Sequence, residues 1–415
     1  MSRLPIDADT TVGDAVAAVY VWIDAHLPAP WKAAAPEGRA ALRAVRSPEQ
    51  YRRWYPTFAQ SGLVAPTWLP AHGGLGVDAE VASAMESVLA PFNLYRLNQL
   101  GLHNAAAALL RHGTEEQRRR FLPPIVRNEE LWCQLFSEPG AGSDLASLAT
   151  RAVRDGDDWI VSGQKVWTTS ADVADFGLLL ARTDPNLPKH QGITYLILNM
   201  HQPGVDVRPL RQITGESEFN EVFLDGARVP DAYRIGDVGN GWAVSAATLS
   251  SERQMVSGAG SGGIGRVGGS SAERLIEVAR ENGRWTDPVV RHRVMALWAE
   301  ERIRGWTNAR VRAAVTAGQS PGAASSIGKV HQATLNQQIQ DLLIELIGTP
   351  ALAWPATGDT DSLPREVRGM LRSLANGTEG GTTDINKNIL GERVLGLPKE
   401  PDPWKGKAWK EVPRS

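Results

Sequence analysis

Hydrophobic and polar positions change rhythm twice along the chain. Up to about residue 130 the spacing is helical. Ser47-Pro48-Glu49 predicts a helix start, a capping hydroxyl followed by proline in the first turn. Thr114-Glu115-Glu116-Gln117 has the form of a capping box, and residues 105–110 form a compact apolar helical segment before it. Between these, APTWLPAHGGLG (65–76) reads as a loop from its prolines and glycines. From about Leu131 the apolar segments become short and rich in β-branched or aromatic residues: WIVSG, FGLLLART, ITYLILNM and FNEVFLDG. Turn clusters such as RDGDD and TDPNLPKHQG separate them. Helical spacing returns after Gly241. Asp287-Pro288 starts a long helix with Val290, Val294 and Leu297 on one face. Ile327, Leu335, Ile339, Leu342 and Leu346 mark a face of another, closed by Gly348 and Pro350. A last helix follows Thr383, and the tail from Pro401 has little regular pattern.

These changes of rhythm predict an α+β chain: a helical domain over 1–130, an all-β domain over 131–238, a helical bundle over 239–400 and a tail over 401–415. A doubly wound fold would alternate strand and helix throughout, and this chain does not.

Composition narrows the function classes. Hydrophobic residues make up 42% of the chain and charged residues 22%, which is ordinary for a soluble globular protein. A formal net charge of -2 gives no electrostatic reason to expect nucleic acid or an anionic membrane. No run of about 18 apolar residues suggests a membrane span, and the N-terminus lacks the apolar core of a signal peptide. Cys133 is the only cysteine, so neither an intrachain disulfide nor a cysteine-based metal site can form, and a cytoplasmic location is expected. The eight histidines are scattered with no H-E-x-x-H, no G-x-S-x-G elbow occurs, and no metal is expected. His103, among apolar helix residues, reads as a packed histidine.

The stretch TLSSERQMVSGAGSGGIG (248–265) carries two signals. Its glycines match G-x-G-x-x-G at Gly258, Gly260 and Gly263, and again at Gly260, Gly262 and Gly265. A dinucleotide loop needs a buried strand before the first glycine, and SSERQMVS is polar and helical in period. Glu281, near the spacing of a ribose-binding acid, stands in the helical run RLIEVAREN. The glycines therefore read as a linker between helices.

Four other stretches are more specific: QLFSEPGAGSDLAS (134–147), SGQKVWTTSADVAD (162–175), GLVAPTWLPAHGGLG (62–76) and EGGTTDINKNILGERVLGLP (379–398). In order and spacing they resemble the acyl-CoA dehydrogenase family over nearly the whole chain. The resemblance implies an N-terminal helical domain, a central β-barrel or sandwich and a C-terminal four-helix bundle. It implies FAD-dependent oxidation of an acyl-CoA to the trans-2-enoyl-CoA, a carboxylate taking the α proton and the β hydrogen passing as hydride to flavin N5. It also implies an electron-transfer flavoprotein as acceptor and a homo- or hetero-oligomeric dimer or tetramer. By motif position Ser137 resembles the hydroxyl residue at the isoalloxazine edge, with Phe136 its neighbour. Gly142 and Ser143 resemble the turn approaching the pyrophosphate, Trp167 the aromatic packed against the ring system and Thr169 the donor to N5. Thr382 and Asp384 fall in the cofactor-binding part of the C-terminal motif.

The chemistry explains these residue types. An α proton beside a thioester is too weakly acidic for an unaided carboxylate, so hydrogen bonds must stabilise the developing enolate charge. The base must lose water so that its pKa rises toward that of the substrate. Most family members keep a Glu directly before a Gly-Thr pair in the C-terminal loop, and a minority keep it in a helical Glu-Arg pair. Here Gly380 precedes Gly381-Thr382, and Glu379 lies one position early. The helical position is Glu252, beside Arg253. Glu252 is therefore expected as base, Gly380 as backbone donor to the thioester carbonyl and Arg253 as a residue shaping the site. Glu379 remains the alternative. Relatives with the helical base include enzymes for branched and bulky acyl chains.

Two departures stand out. The region ARENGRWTDPVVRHR lacks the Phe-Gly pair that homotetrameric members carry, and ELIGT places Glu345 where a pyrophosphate would be repelled. One explanation is a flavin shared with an unlike acyl-CoA dehydrogenase-like subunit, as in actinobacterial enzymes for sterol side chains. Another is a homomeric site served by Arg284, Arg291 or Arg293. An acyl-CoA oxidase would share the flavin motifs, and a non-catalytic partner subunit would have lost the base from both positions.

Overall fold

The computed structural model describes residues 3–256, 271–317, 319, 325–353 and 363–413. The N-terminal helices are α1 (Val12–His26), α2 (Ala29–Ala34), α3 (Arg39–Val45), α4 (Pro48–Gln60), α5 (Ala79–Leu89), α6 (Ala106–His112) and α7 (Glu115–Arg127). Thr114 and Gln117 form the capping box their sequence predicts at the start of α7, and the predicted Ser47 cap of α4 is completed to a full box by Gln50. Residues 65–76 hold only a short 3-10 turn, Pro70–His72. The apolar segment before α7 is helical, but it is entered through a π-turn, Gly101–Ala105, that the spacing does not reveal.

The central strands are β1 (Trp132–Leu135), β2 (Arg151–Asp155), β3 (Asp158–Thr169), β4 (Phe176–Arg182), β5 (Ile193–Asn199), β6 (Val205–Leu210), β7 (Phe219–Pro230) and β8 (Arg234–Ile235). The expected β domain takes the form of one mixed sheet, in the order β6-β7-β3-β2-β4-β5-β8, with β1 laid parallel on β4. The four apolar segments of the sequence are β3, β4, β5 and β7. Strands β4 and β5 are buried on both faces, which is why they read as continuous apolar runs. On one face Leu178, Leu180, Ile193, Tyr195 and Ile197 join Leu109, Phe121, Ile125 and Val244. On the other, Leu179, Ala181, Leu196 and Leu198 join Val161, Val222, Leu224 and Val229.

The C-terminal helices are α8 (Gly241–Val256), α9 (Ala272–Glu281), α10 (Pro288–Thr316), α11 (Ser325–Ile347), α12 (Arg365–Ser373) and α13 (Thr383–Arg393). Val290 and Val294 of α10 meet Leu335, Ile339, Leu342 and Leu346 of α11 in one core, the faces their spacing marks. The tail is more ordered than its sequence suggests. Trp409 donates its backbone N–H to the Leu187 carbonyl and its indole N–H to the Ser147 carbonyl, 3.2 Å away. The Arg182 guanidinium lies 4.8 Å from its ring centroid, so the tail is pinned to β4 at Trp409.

Helix α8 starts hard against β5. A Cβ on Gly241 would stand 2.6 Å from the Thr194 carbonyl carbon and 2.7 Å from the Tyr195 nitrogen, contacts that backbone cannot relieve locally. Gly241→Ala is expected to cost about 1–3 kcal/mol, whereas Gly305→Ala, inside α10 and in open space, should be neutral or stabilising. Urea unfolding of the two variants checks the difference.

Candidate functional site

The two central motifs lie side by side. Beyond β1 the chain passes through Phe136 and Ser137 into a turn closed by paired Glu138 and Ala141 backbones. Val166 donates its N–H to the Ser137 carbonyl at 2.9 Å. Beneath this contact the fully buried Lys165 places Nζ 3.0 Å from the Phe136 carbonyl and 2.8 Å from Glu138 Oε1. Glu138 also accepts from the backbone N–H groups of Ala149, at 2.6 Å, and Thr150, at 2.9 Å. Burial alone would raise the Glu138 pKa, but Lys165 and these donors outweigh it and hold the carboxyl below its ordinary value. One ion pair thus clamps both motifs from below.

Trp167 sits where the β3–β7 register slips, between Lys165 and Thr168. Its φ is +59°, a left-handed conformation rare for a bulky residue, and Ser170 repeats it at +56°. The Trp167 side chain is 62% exposed, with its edge on Phe219 at 5.9 Å and 84°. Thr169, half-buried, ends the strand two residues on. Gly142 and Ser143 are exposed in the turn after Ser137, and a Cβ on Gly142 would meet nothing within 4 Å. Packing of this chain therefore does not require a glycine there. An exposed aromatic face, two flanking hydroxyl residues and an open Gly-Ser turn fit a flavin dinucleotide: flat ring, polar ring edge and phosphates.

The glycine loop lies at the C-terminal side. Gly380 and Gly381 have φ of +61° and +83°, where only glycine is unstrained. Thr382 caps α13, its side-chain oxygen accepting from Ile385 N at 3.1 Å. Asp384 is exposed in the first turn, 3.8 Å from Lys387 Nζ. Glu379 is tied down at both oxygens, Oε2 2.7 Å from Arg372 and Oε1 2.7 Å from Asn376 Nδ2. Asn376 is itself buried and accepts from Asn336 at 2.6 Å and, through its backbone carbonyl, from Lys329. Burial opposes the Arg372 charge, but its bond to Glu379 and the charges of Glu379, Glu218 and Glu216 raise its pKa above the ordinary value. Arg368, one turn earlier, meets Glu216 at 2.9 Å, and the Glu218 carbonyl accepts from Ser170 N at 3.0 Å. Residues 216–218 thereby tie α12 and the glycine loop to the end of β3, next to Thr169.

Glu252 and Arg253 lie on the backbone of α8, and their side chains fall outside the described residues, as do the glycines at 258–265 altogether. One turn before position 252, Thr248 is fully buried, with Oγ1 3.0 Å from the Tyr195 hydroxyl and 3.4 Å from the Asn104 carbonyl. Glu345 is met by Arg293 of the same chain at 2.8 Å. Sequence reasoning missed Lys165, Glu138, Tyr195, Thr248 and Arg372. A lysine and a tyrosine inside apolar strand runs are the available signals, because each needs a buried partner.

Among the described residues no group of His, Cys, Asp or Glu could hold a metal, and no helix is long and apolar enough to cross a membrane. Three family models match in order: acyl-CoA dehydrogenase N-terminal domain over residues 32–129, middle domain over 133–227 and C-terminal domain over 239–395. The chain is 38% identical over 370 residues to acyl-CoA dehydrogenase IpdE1 of Mycobacterium tuberculosis, covering 87% of this chain and 93% of that one. Acyl-CoA dehydrogenase FadE34 of the same organism is 39% identical over 365 residues, 88% of this chain and 48% of that one. Among solved structures, the Tcur3481-Tcur3483 steroid ACAD aligns at a TM-score of 0.72 and 25% identity, covering 94% and 98%. The ChsE4-ChsE5 complex from Mycobacterium tuberculosis aligns at 0.67 and 26%, with the same coverage.

Lys165→Met leaves Glu138 charged and buried, and should cost about 3–5 kcal/mol in denaturant unfolding. Because the Glu138 pKa is depressed on folding, its stabilisation is complete above the ordinary value of about 4.5 and is lost as pH falls through the depressed one. Stability measured from pH 7 to 3 should show that loss in the native chain, and less of it in Lys165→Met.

Proposed function

We propose that this chain, which belongs to the acyl-CoA dehydrogenase family, converts an acyl-CoA thioester to the trans-2-enoyl-CoA by α,β-dehydrogenation. As a family member it is an FAD-dependent oxidoreductase acting on acyl-CoA. The observation that carries the reading is the clamp that presents a strained, exposed Trp167 beside Ser137 and Thr169. Phe136, Ser137, Trp167 and Thr169 would hold the ring system, Gly142 and Ser143 the pyrophosphate, with Thr382 and Asp384 contributing from the C-terminal side. FAD, when bound, accepts the β hydrogen as hydride.

The residues of the chain must handle the α proton. In this reading Glu252 removes it, Arg253 shapes the pocket, and the Gly380 N–H donates to the thioester carbonyl, where negative charge builds. Glu379 is a poor second choice, because using it as base would break hydrogen bonds to Arg372 and Asn376. A loop without a side chain at 380 leaves room for a bulky or branched acyl group, and the Tcur3481-Tcur3483 relative is described as a steroid enzyme. A second, unlike subunit of the same family would complete the adenosine side of the flavin site, as the two-component ChsE4-ChsE5 complex suggests. Electrons would leave through an electron-transfer flavoprotein.

The visible spectrum of the chain, purified alone and then co-expressed with an unlike subunit, tests the flavin site. Anaerobic bleaching with octanoyl-CoA, isobutyryl-CoA and a steroid-derived acyl-CoA tests the reaction. Glu252→Gln should slow bleaching about 10²–10⁴-fold, and Glu379→Gln far less. No flavin bands in either preparation, or full activity in Glu252→Gln, would defeat the reading. One peroxide per turnover would reassign the chain to the oxidases.

A further inference from the structure

The fully buried Tyr195 of β5 joins the two halves of the site. Its ring stands edge-on to Phe136, centroids 5.8 Å apart at 90°. Its hydroxyl lies 3.0 Å from Thr248 Oγ1 on α8. Thr248 in turn reaches the Asn104 carbonyl, inside the π-turn that enters α6, and the Asn104 side chain donates to Gln134 of β1 at 2.7 Å. The circuit therefore starts on β1 beside Phe136, crosses β5, α8 and the N-terminal helices, and returns to β1. Position 252 is one helical turn beyond Thr248.

We infer that Tyr195 and Thr248 are positioning residues that set the register between the flavin-facing strand and the part of α8 bearing Glu252; the inference rests on Glu252 as the base. Both residues are fully buried, so they act through the elements they join. The apolar contacts of α8 with β5 and α6 are non-directional and would tolerate a small slide or rotation of the helix. A hydrogen bond between two buried hydroxyls is directional, and it fails if α8 shifts along or about its axis. Proton abstraction depends steeply on such placement, since a misplacement of about 1 Å can cost about 10²-fold in rate.

The test uses flavin-loaded protein, with the unlike subunit where flavin retention requires it. The substrate is whichever of the three acyl-CoAs reduces the native enzyme fastest. Tyr195→Phe keeps the ring against Phe136 and removes the hydroxyl, Thr248→Val keeps the shape and removes the other hydroxyl, and Thr248→Ser restores it. Tyr195→Phe and Thr248→Val should each lower kcat per bound flavin about ten-fold with KM changed by less than about two-fold, and the double variant should be no slower than either. Thr248→Ser should stay near the native rate. Amide hydrogen exchange should rise over residues 241–256 in both hydroxyl-deletion variants and stay unchanged over 132–137.

Native kcat per bound flavin in Tyr195→Phe and Thr248→Val overturns the inference, as does a Thr248→Ser variant as slow as Thr248→Val. Glu252→Gln, run in parallel, separates the two failures. If it is inactive while the hydroxyl variants are native-like, only the positioning role is lost. If it keeps full turnover, or no acyl-CoA reduces the native enzyme, the proposed function fails and the inference with it.

Discussion

The ion pair between Lys165 and Glu138 is the constraint around which the site is built. Neither charge is tolerable alone in this interior, since each has left water and only the other, with the nearby backbone groups, replaces it. The pair can be satisfied only if the turn after β1 and the bulge of β3 come together. The Phe136 carbonyl completes the arrangement by accepting from the same ammonium. Geometry that would be loose on two independent loops is thereby fixed by a penalty that rises steeply with separation.

That rigidity allows the strain at Trp167. A bulky residue in the left-handed region persists only where its surroundings over-determine it. Here they do, because Val166 is bonded to Ser137 on one side and Ser170 to Glu218 on the other. The indole is held outward, largely free of its own chain, while the backbone around it is fully engaged.

The C-terminal helices approach the sheet through two unlike connections. Residues 216–218 meet α12 through charge, with Arg368 and Arg372 facing Glu216 and Glu218 across the junction. Helix α8 meets β5 through an apolar core, a close backbone approach at Gly241 and the Thr248–Tyr195 hydroxyl contact. The first connection orders the glycine loop and occupies Glu379, and the second positions the helix that carries residue 252. The proposed reaction, with its base on α8 and a backbone donor in the loop, requires that both supports hold their elements in register.

The sequence by itself determined the helical, strand and helical regions, the cap of α4, the capping box of α7, and the faces of α10 and α11, because those signals are local: a capping box spans four residues, and a helical face repeats every three or four. Its motifs also identified the family, and named Phe136, Ser137, Trp167, Thr169 and Gly380 as site candidates. Tertiary structure decided what those motifs rest on. That Lys165 lies under Phe136, that Tyr195 meets Thr248 across 53 residues of chain, and that Glu379 is occupied by Arg372 are outcomes of sheet order and domain docking. A lysine in a strand or a tyrosine in an apolar run announces only that a buried polar group needs a partner. Which partner it finds is fixed once distant elements close over it, since the cost of an unsatisfied buried group is set by the assembled interior and not by its neighbours in sequence.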